Sequence, residues 1–462
     1  MFLFPHQRVI VQSRARFKVI RGGRRGGKTL LETEVMSFSG VSAKNNNVIY
    51  IAPTQKQARS IIWESLKARL AGIGEANESR LEMKVPTQDG GHSTLFVGGW
   101  ENRENYRGMP NVKKLVFDEV DTMKDFFIAW QEIFRPMLID TRGSADFIGT
   151  PKKENPNLRR LEKQSEIDIE WESFHFTSWD NPILPPEELE KARLEMDKET
   201  YRQEIMAEYV DNAGSLFRYV SLLDLFSNSL VKNNQKYLTA DIADDGSDKT
   251  IFSFWNDLEM YRVAQFEQLN TESIINQIRE YASGEKIPYS NIAVDAIGVG
   301  AGVASSSLLN GIVGFKSSYQ AFRTEQSIVQ LPNVHYTRNV PLVSDYKNLR
   351  SQCVFTLAKL VNDHKIACKI DDIRVREKII EELSTYQDAS TGDGKRMATQ
   401  KEDIKALIGR SPDISDTLIM RMYFVVRSQL TPYLSENSAI VADKLRTQFS
   451  ANIYRQGLNS TK

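Results

Sequence analysis

Hydrophobic residues in the first third of this chain fall in short unbroken runs rather than in long helical stripes. Residues 48–51 (VIYI), 115–117 (LVF) and 147–148 (FI) are followed by Pro53-Thr54, Asp118-Glu119 and Gly149-Thr150-Pro151. Apolar runs this short, with no polar residue alternating through them, predict strands covered on both faces, as in a parallel sheet. Residues 17–38 (FKVIRGGRRGGKTLLETEVMSF) change character twice. A β-branched run gives way to a turn of glycine and arginine, then to an amphipathic segment that predicts a helix from about Lys28. Residues 179–196 (WDNPILPPEELEKARLEM) predict a turn followed by a capped helix.

The second half repeats the strand signal with acids at the strand ends. Residues 236–255 read as a strand closing on Asp241, a polar turn containing Gly246, and a returning strand. Residues 291–309 read as a strand closing on Asp295, then glycines opening a helix. Residues 408–426 read as a turn and a helix carrying Asp413 and Asp416 near its start. The tail after Leu430 turns polar and is an adaptor segment or a frayed end.

Composition narrows the class without naming a chemistry. The 462 residues suit two or three domains at about 150 residues each. Hydrophobic content of 41% and charged content of 26% are ordinary for a globular chain. No run is long and apolar enough to span a bilayer, and the N-terminus lacks the ordered regions of a signal peptide. Cys353 and Cys368 are too few for a disulfide framework or a zinc site, which predicts a cytosolic chain. Net charge is zero, yet no acid precedes Glu32 whereas Arg8, Arg14, Arg16, Lys18, Arg21, Arg24, Arg25 and Lys28 do. Such a block faces polyanions, or simply lines a triphosphate pocket beside a solvated face.

The glycine turn fits G-x-x-x-x-G-K-[ST], filled by Gly22, Gly27, Lys28 and Thr29, with Gly23, Arg24, Arg25 and Gly26 between. Glycines let successive N–H groups point at phosphate oxygens, and the following helix adds its positive end. Lys28 would reach the β- and γ-phosphates of ATP, and Thr29 would hold Mg2+. Asp118 would complete the Mg2+ shell, and Glu119 would act as general base toward water. Gly149-Thr150-Pro151 would sense the γ-phosphate, unless it is merely a strand end.

The order strand, phosphate loop, helix, APT strand, acidic strand and GTP strand resembles the helicase-like and packaging ATPases, of the RecA/ASCE-like kind, and two further stretches favour the packaging kind. Gln7 just upstream, positioned to read adenine's edge, and Arg107-Gly108 before the acidic strand resemble the ATPase half of the large terminase subunit of tailed bacteriophages. That resemblance implies Arg24 as a cis arginine finger, Arg25 as its reserve and Arg107 as a weaker candidate for a trans role. Asp241, Asp295 and Asp416 resemble the carboxylate set of RNase H-like nucleases, which clamps two Mg2+ or Mn2+ ions; Asp413 suits a helix N-cap better. Asp244, Asp245 and Asp248 stabilise the turn or touch metal-bound water.

The fold expected is therefore α/β, an N-terminal P-loop ATPase domain with a lid subdomain and a C-terminal RNase H-like nuclease domain. Expected boundaries are residues 1–212, a linker 213–230, the nuclease domain 231–435 and a polar tail 436–462. The family implies double-stranded viral DNA, a small terminase subunit and the portal protein of the procapsid as partners, with a homo-oligomeric ring, a pentamer, on the portal. It implies the host cytoplasm and transient residence at the portal, outside the mature virion and away from membranes. A DNA-repair helicase–nuclease is the alternative, although no second RecA-like motif set follows Pro151. A DNA-binding scaffold with a degenerate ATPase is the other, and Lys28, Thr29, Asp118 and Glu119 argue against it.

Overall fold

The computed structural model describes residues 3–152, 156–210, 214–231, 233–243, 249–267, 269–322, 345–392 and 394–428. Asp244, Asp245, Gly246, Asp248, Asn212 and the polar tail lie outside the described residues. The chain divides into two compact units, Met1–Asn212 and Ala213–Lys462.

The first unit is built on β1 (Phe17–Gly22), β2 (Asn47–Ala52), β3 (Glu75–Asn77), β4 (Glu82–Pro86), β5 (His92–Gly99), β6 (Val112–Asp118), β7 (Ser144–Gly149) and β8 (Trp171–Phe176). The sheet order is β3-β4-β5-β2-β6-β7-β1-β8. All neighbours from β5 to β8 pair in parallel, and β3 and β4 add an antiparallel edge. The unbroken apolar runs follow from the layering. Val48, Tyr50, Ile20, Val116 and Ile148 pack into one cluster. Ile49, Ile51, Val19, Phe117 and Phe147 pack into the cluster on the other side. Alternate residues thus feed two cores, so neither parity is polar. In register, Arg21 faces Gly149 and Asp118 faces Ile148, so the ends of β1, β6 and β7 meet at one carboxyl edge.

The second unit holds β9 (Lys236–Asp241), β10 (Thr250–Asn256), β11 (Glu259–Phe266), β12 (Ile292–Asp295), β13 (Val313–Phe315) and β14 (Ala367–Cys368), in the order β13-β12-β9-β10-β11-β14. β9, β10 and β11 form an antiparallel meander, and β12 and β13 extend it in parallel. This is a mixed α/β unit with a six-stranded sheet. Ile251 and Trp255 pack on one face with Leu357 and Ile379 of the helices Leu349–Asn362 and Ile373–Ser384, and with Leu418 of helix 413–428. Phe252 and Phe254 pack on the other face with Ile274 and Ile278 of helix Thr271–Glu285.

Two local expectations need correction. Residues 214–230 are not a loose linker: they carry helix Tyr219–Asp224 and bury Phe217, Leu222 and Leu225 in the second unit's core. The helix Pro186–Glu195 has no side-chain cap, because Pro185 occupies the cap position; Pro186 and the acids Glu187 and Glu188 fill its first turn. Among the described residues no helix is long and apolar enough to cross a membrane.

Candidate nucleotide and metal sites

The loop between β1 and the helix Lys28–Ser42 is held from outside by its carbonyls. Arg24 O accepts from Ser178 Oγ (2.6 Å), Arg25 O from Asn181 Nδ2 (2.7 Å) and Gly27 O from Gln7 Nε2 (2.9 Å). Arg25 (φ 62°) and Gly27 (φ 98°) take left-handed conformations, which turn the chain into the helix. Gly23 is required for a different reason: a Cβ there would stand against Ile205 O and 2.5 Å from Ser178 N. Gly27 ends the loop with no side-chain cap on the helix, so the positive helix end is open to an anion.

Lys28 stretches back across this loop. Its Nζ donates to Gly22 O (3.1 Å) and Thr150 Oγ1 (2.7 Å) and stands 3.7 Å from Glu119 Oε1. Thr150 Oγ1 in turn donates to Gly22 O (2.9 Å). The GTP turn is thereby joined to the phosphate-loop lysine, across 122 residues of sequence. Glu119 adopts a left-handed backbone (φ 54°, ψ 47°), uncommon for a non-glycine residue, just where β6 ends. Its Oε2 lies 3.4 Å from the Thr150 N–H.

Asp118 is buried, with Oδ2 accepting from the Tyr50 hydroxyl and Oδ1 without a hydrogen-bond partner. Burial and the adjacent Glu119 push its carboxyl up to about 6, against the opposing effects of Tyr50 and Lys28. A buried carboxylate oxygen left unpaired beside a phosphate loop suits a hydrated Mg2+, with Thr29 on the helix end as the second protein oxygen.

The two arginines and Gln7 engage protein partners. Arg24 points to Glu204: Nε to Oε2 is 2.8 Å, and the Arg24 N–H donates to Glu204 O at 2.7 Å. The Arg25 backbone is anchored through Asn181. Gln7 is fully buried, its Oε1 accepting from the Phe4 N–H (2.9 Å) and its Nε2 engaged on Gly27 O. Its amide braces the phosphate loop. Arg107 pairs with Glu104 (3.0 Å) and donates to Glu132 O (3.1 Å).

Sequence reasoning missed three acids of this unit. Glu204 also receives Lys152 Nζ (2.7 Å). Burial alone would raise its carboxyl, but the bonds from Lys152 and Arg24 outweigh that and lower it. Asp121 accepts from the Lys152 N–H (2.9 Å) and the Leu158 N–H (2.6 Å), and burial pushes it up to about 8. Glu32, one turn beyond Lys28, is buried with neither carboxylate oxygen hydrogen-bonded. Burial, then Asp146, raises it well above the usual range, which favours the neutral acid.

In the second unit Asp241 ends β9 and Asp295 ends β12, one step beyond the Val294–Ala240 pair, which sets the two acids side by side. Asp416 comes from helix 413–428, and Asp413 is that helix's first residue rather than its cap, a place Pro412 occupies. The unforeseen member is Lys401, the first residue of helix Lys401–Ile408. Its Nζ lies 2.7 Å from Asp416 Oδ2 and 3.4 Å from Asp241 Oδ2. Burial would lower its pKa, but Asp416 and Asp241 more than offset this and raise it. Arg350 Nη2 stands 3.7 Å from Asp416 Oδ1. Asp241 is pushed well up, first by burial and, against Lys401, by Asp416, Asp413 and Asp295.

The ends of β9 and β12 set Asp241 beside Asp295, and Lys401 links Asp241 to Asp416; among the described residues no three acid, histidine or cysteine side chains form a ready metal cage. One ammonium, that of Lys401, stands between two of the acids. That ammonium marks a cation's seat, and the oxygen-only donors around it suit Mg2+ or Mn2+ rather than zinc.

Known proteins resemble this chain as follows. A family model described as "Terminase large subunit, T4likevirus-type, N-terminal" matches residues 19–223. The "Terminase, large subunit" of Thermus virus P23-45 is 25% identical, over 85% of this chain and 83% of that protein. The large terminase ATPase domain of Thermus phage P74-26 is 25% identical, over 45% of this chain and 94% of that one, with a TM-score of 0.37. The nuclease domain of the large terminase subunit of bacterial virus Sf6 is 19% identical, over 45% of this chain and 98% of that one, with a TM-score of 0.36.

Proposed function

Since this chain belongs to the large terminase subunits, we propose that it drives double-stranded viral DNA into a procapsid with ATP and cuts concatemeric DNA. The carrying observation is the convergence of Lys28, Thr150, Glu119 and the half-paired Asp118 on the loop from Gly22 to Gly27.

In this reading ATP lays its phosphates along the loop, and Lys28 exchanges Gly22 O and Thr150 Oγ1 for phosphate oxygens. Thr29 and Asp118 would hold Mg2+, which would supply positive charge to the phosphates. Glu119 takes the proton of the attacking water. Arg24 leaves Glu204 to meet the charge developing in the transition state. Thr150, released by Lys28, reports the γ-phosphate to the edge of β7.

The second unit supplies the cut. Asp241, Asp295 and Asp416 would hold two Mg2+ or Mn2+ ions, which supply a nucleophilic water and stabilise the leaving oxygen. Lys401 shifts from its place between Asp241 and Asp416 to a position beside the anionic phosphate. The partners of the chain are the small terminase subunit and the portal protein, and it works as a ring, a pentamer, in the host cytoplasm and transiently at the portal.

The deciding experiment measures phosphate release with and without DNA, and plasmid cleavage in Mg2+, Mn2+ and EDTA, with Lys28→Ala as control. Hydrolysis lost in Lys28→Ala together with metal-dependent cleavage is expected. A wild-type chain that neither hydrolyses ATP nor cuts DNA would sink the reading.

A further inference from the structure

A basic groove of about 430 Å3 lies in the second unit between the β10–β11 hairpin and helix Ile373–Ser384. Its cations are Lys249, Arg374 and Lys378. Gln265 offers an amide, and Val263 and Val375 form its apolar floor. The acid in its wall, Asp372, is turned to its own helix, where Oδ1 accepts from the Arg374 N–H at 2.8 Å. Lys249 pairs with Glu267 at 3.0 Å, but Glu267 is 86% exposed, so that pair exchanges readily for another anion. Among the described residues the groove's wall gathers three cations and one acid, Asp372, with Glu267 at its rim.

The register places this groove relative to the candidate nuclease acids. Asp241 is opposite Ile251, and Ile251 is opposite Gln265. Opposed residues in antiparallel strands share a face, and so do residues two apart, which adds Lys249 and Val263. The groove therefore opens on the sheet face that carries Asp241, two strand spacings away, about 10 Å. Along one DNA strand the axial rise is about 3.4 Å per nucleotide, so 10 Å is about three nucleotides. On helix Ile373–Ser384, Arg374 and Lys378 stand at i and i+4, one above the other, which forms a row rather than a point.

We propose that this groove is a phosphate track for duplex DNA, gripping the backbone about three nucleotides from the phosphate presented to Asp241, Asp295 and Asp416. The proposal rests on the nuclease reading of those acids. The interactions are charge to phosphate, so they set register and carry no sequence preference. They act on binding and leave the chemical step alone, because they are the same before and during cleavage.

The test uses the full chain in EDTA without ATP, with a short labelled duplex followed by fluorescence anisotropy from about 50 to about 200 mM salt. Lys249→Ala/Lys378→Ala should flatten the logarithmic salt dependence by about 1.8, near 0.9 for each phosphate no longer neutralised. In Mn2+ the same variant should raise KM for plasmid cleavage on the order of tenfold with kcat little changed, and leave DNA-free ATP hydrolysis unaltered. Lys378→Gln alone should show about half the slope change, and serves if the double variant fails to fold. Lys191→Ala, an exposed lysine of the first unit, controls for a general loss of charge and should change nothing. An unchanged slope in the groove variants, or an equal change in Lys191→Ala, overturns the proposal. If Asp295→Asn still cuts at the wild-type rate, the nuclease reading fails instead, and the salt slope then decides whether the groove binds DNA on its own account.

Discussion

Arg24 and Glu204 are joined twice, main chain to main chain at 2.7 Å and guanidinium to carboxylate at 2.8 Å, across 180 residues of sequence. The first bond fixes the loop and the second holds the side chain, which is 66% exposed and so exchangeable. Arg24→Ala keeps the first bond and loses only the second. ATP affinity should stay within a few fold while turnover falls about 10³-fold, the lower range for an arginine finger. Isothermal titration beside steady-state hydrolysis checks this, and a defect seen in Arg25→Ala instead would move the role one residue along.

Glu119→Gln should bind ATP and hydrolyse it about 10²–10⁴-fold more slowly, the usual cost of losing a general base. The left-handed backbone at Glu119 is common to both residues, so the fold should be unaffected. Single-turnover hydrolysis at near-wild-type speed would remove Glu119 from that position.

Asp295→Asn should abolish plasmid cleavage and leave ATP hydrolysis intact, since its neighbours Asp241 and Asp416 lie in the second unit and Lys28 in the first. An amide removes one of the negative charges that balance two divalent ions. Plasmid nicking in Mn2+ and phosphate release on one preparation separate the two activities.

Lys401→Ala should destabilise the metal-free chain on the order of 1–3 kcal/mol, less than for a fully buried pair because Lys401 is 34% exposed. Asp241 and Asp416 then repel without a counter-charge. Mn2+ should recover more stability in this variant than in the wild type, because it fills the same seat. Thermal unfolding in EDTA and in Mn2+ gives the comparison, and equal Mn2+ shifts would contradict the shared seat.

Asp121 gives a pH signature. Its folded value, about 8, is above the ordinary carboxylate range, so its contribution is fully present below about pH 4 and is lost as pH rises through about 8. The first unit should therefore lose stability between about pH 4 and about pH 8, and Asp121→Asn should shrink that loss whatever it does to absolute stability. Thermal midpoints at the two pH values measure it, and an unchanged difference would place the titration elsewhere.

What the sequence made legible was local. β2, β6 and β7 were visible because each strand feeds two apolar layers, and the acids at their ends because they interrupt an apolar run. Asp241 and Asp295 were legible for the same reason. Glu204, Lys401 and Asp121 were not, since each is one charged residue in an ordinary helix or turn and acquires meaning only from partners far along the chain. Gln7 shows the converse: its proximity to the loop was legible, but the direction of its amide depends on Phe4 and Gly27 backbone groups that no pattern displays.

The close approach at Gly23 has a practical corollary for chimeras. The back wall of the nucleotide loop is main chain contributed by Ser178 and Ile205, within 2.5 Å of any added methyl group. Main chain cannot be swapped for a smaller rotamer. A loop transplanted from a relative with even alanine at this position would require the receiving 178–205 segment to withdraw, breaking the bonds to Arg24 and Arg25 as it goes. Loop and segment are thus one heritable cassette, and exchange between packaging motors should succeed when both travel together and fail when either travels alone.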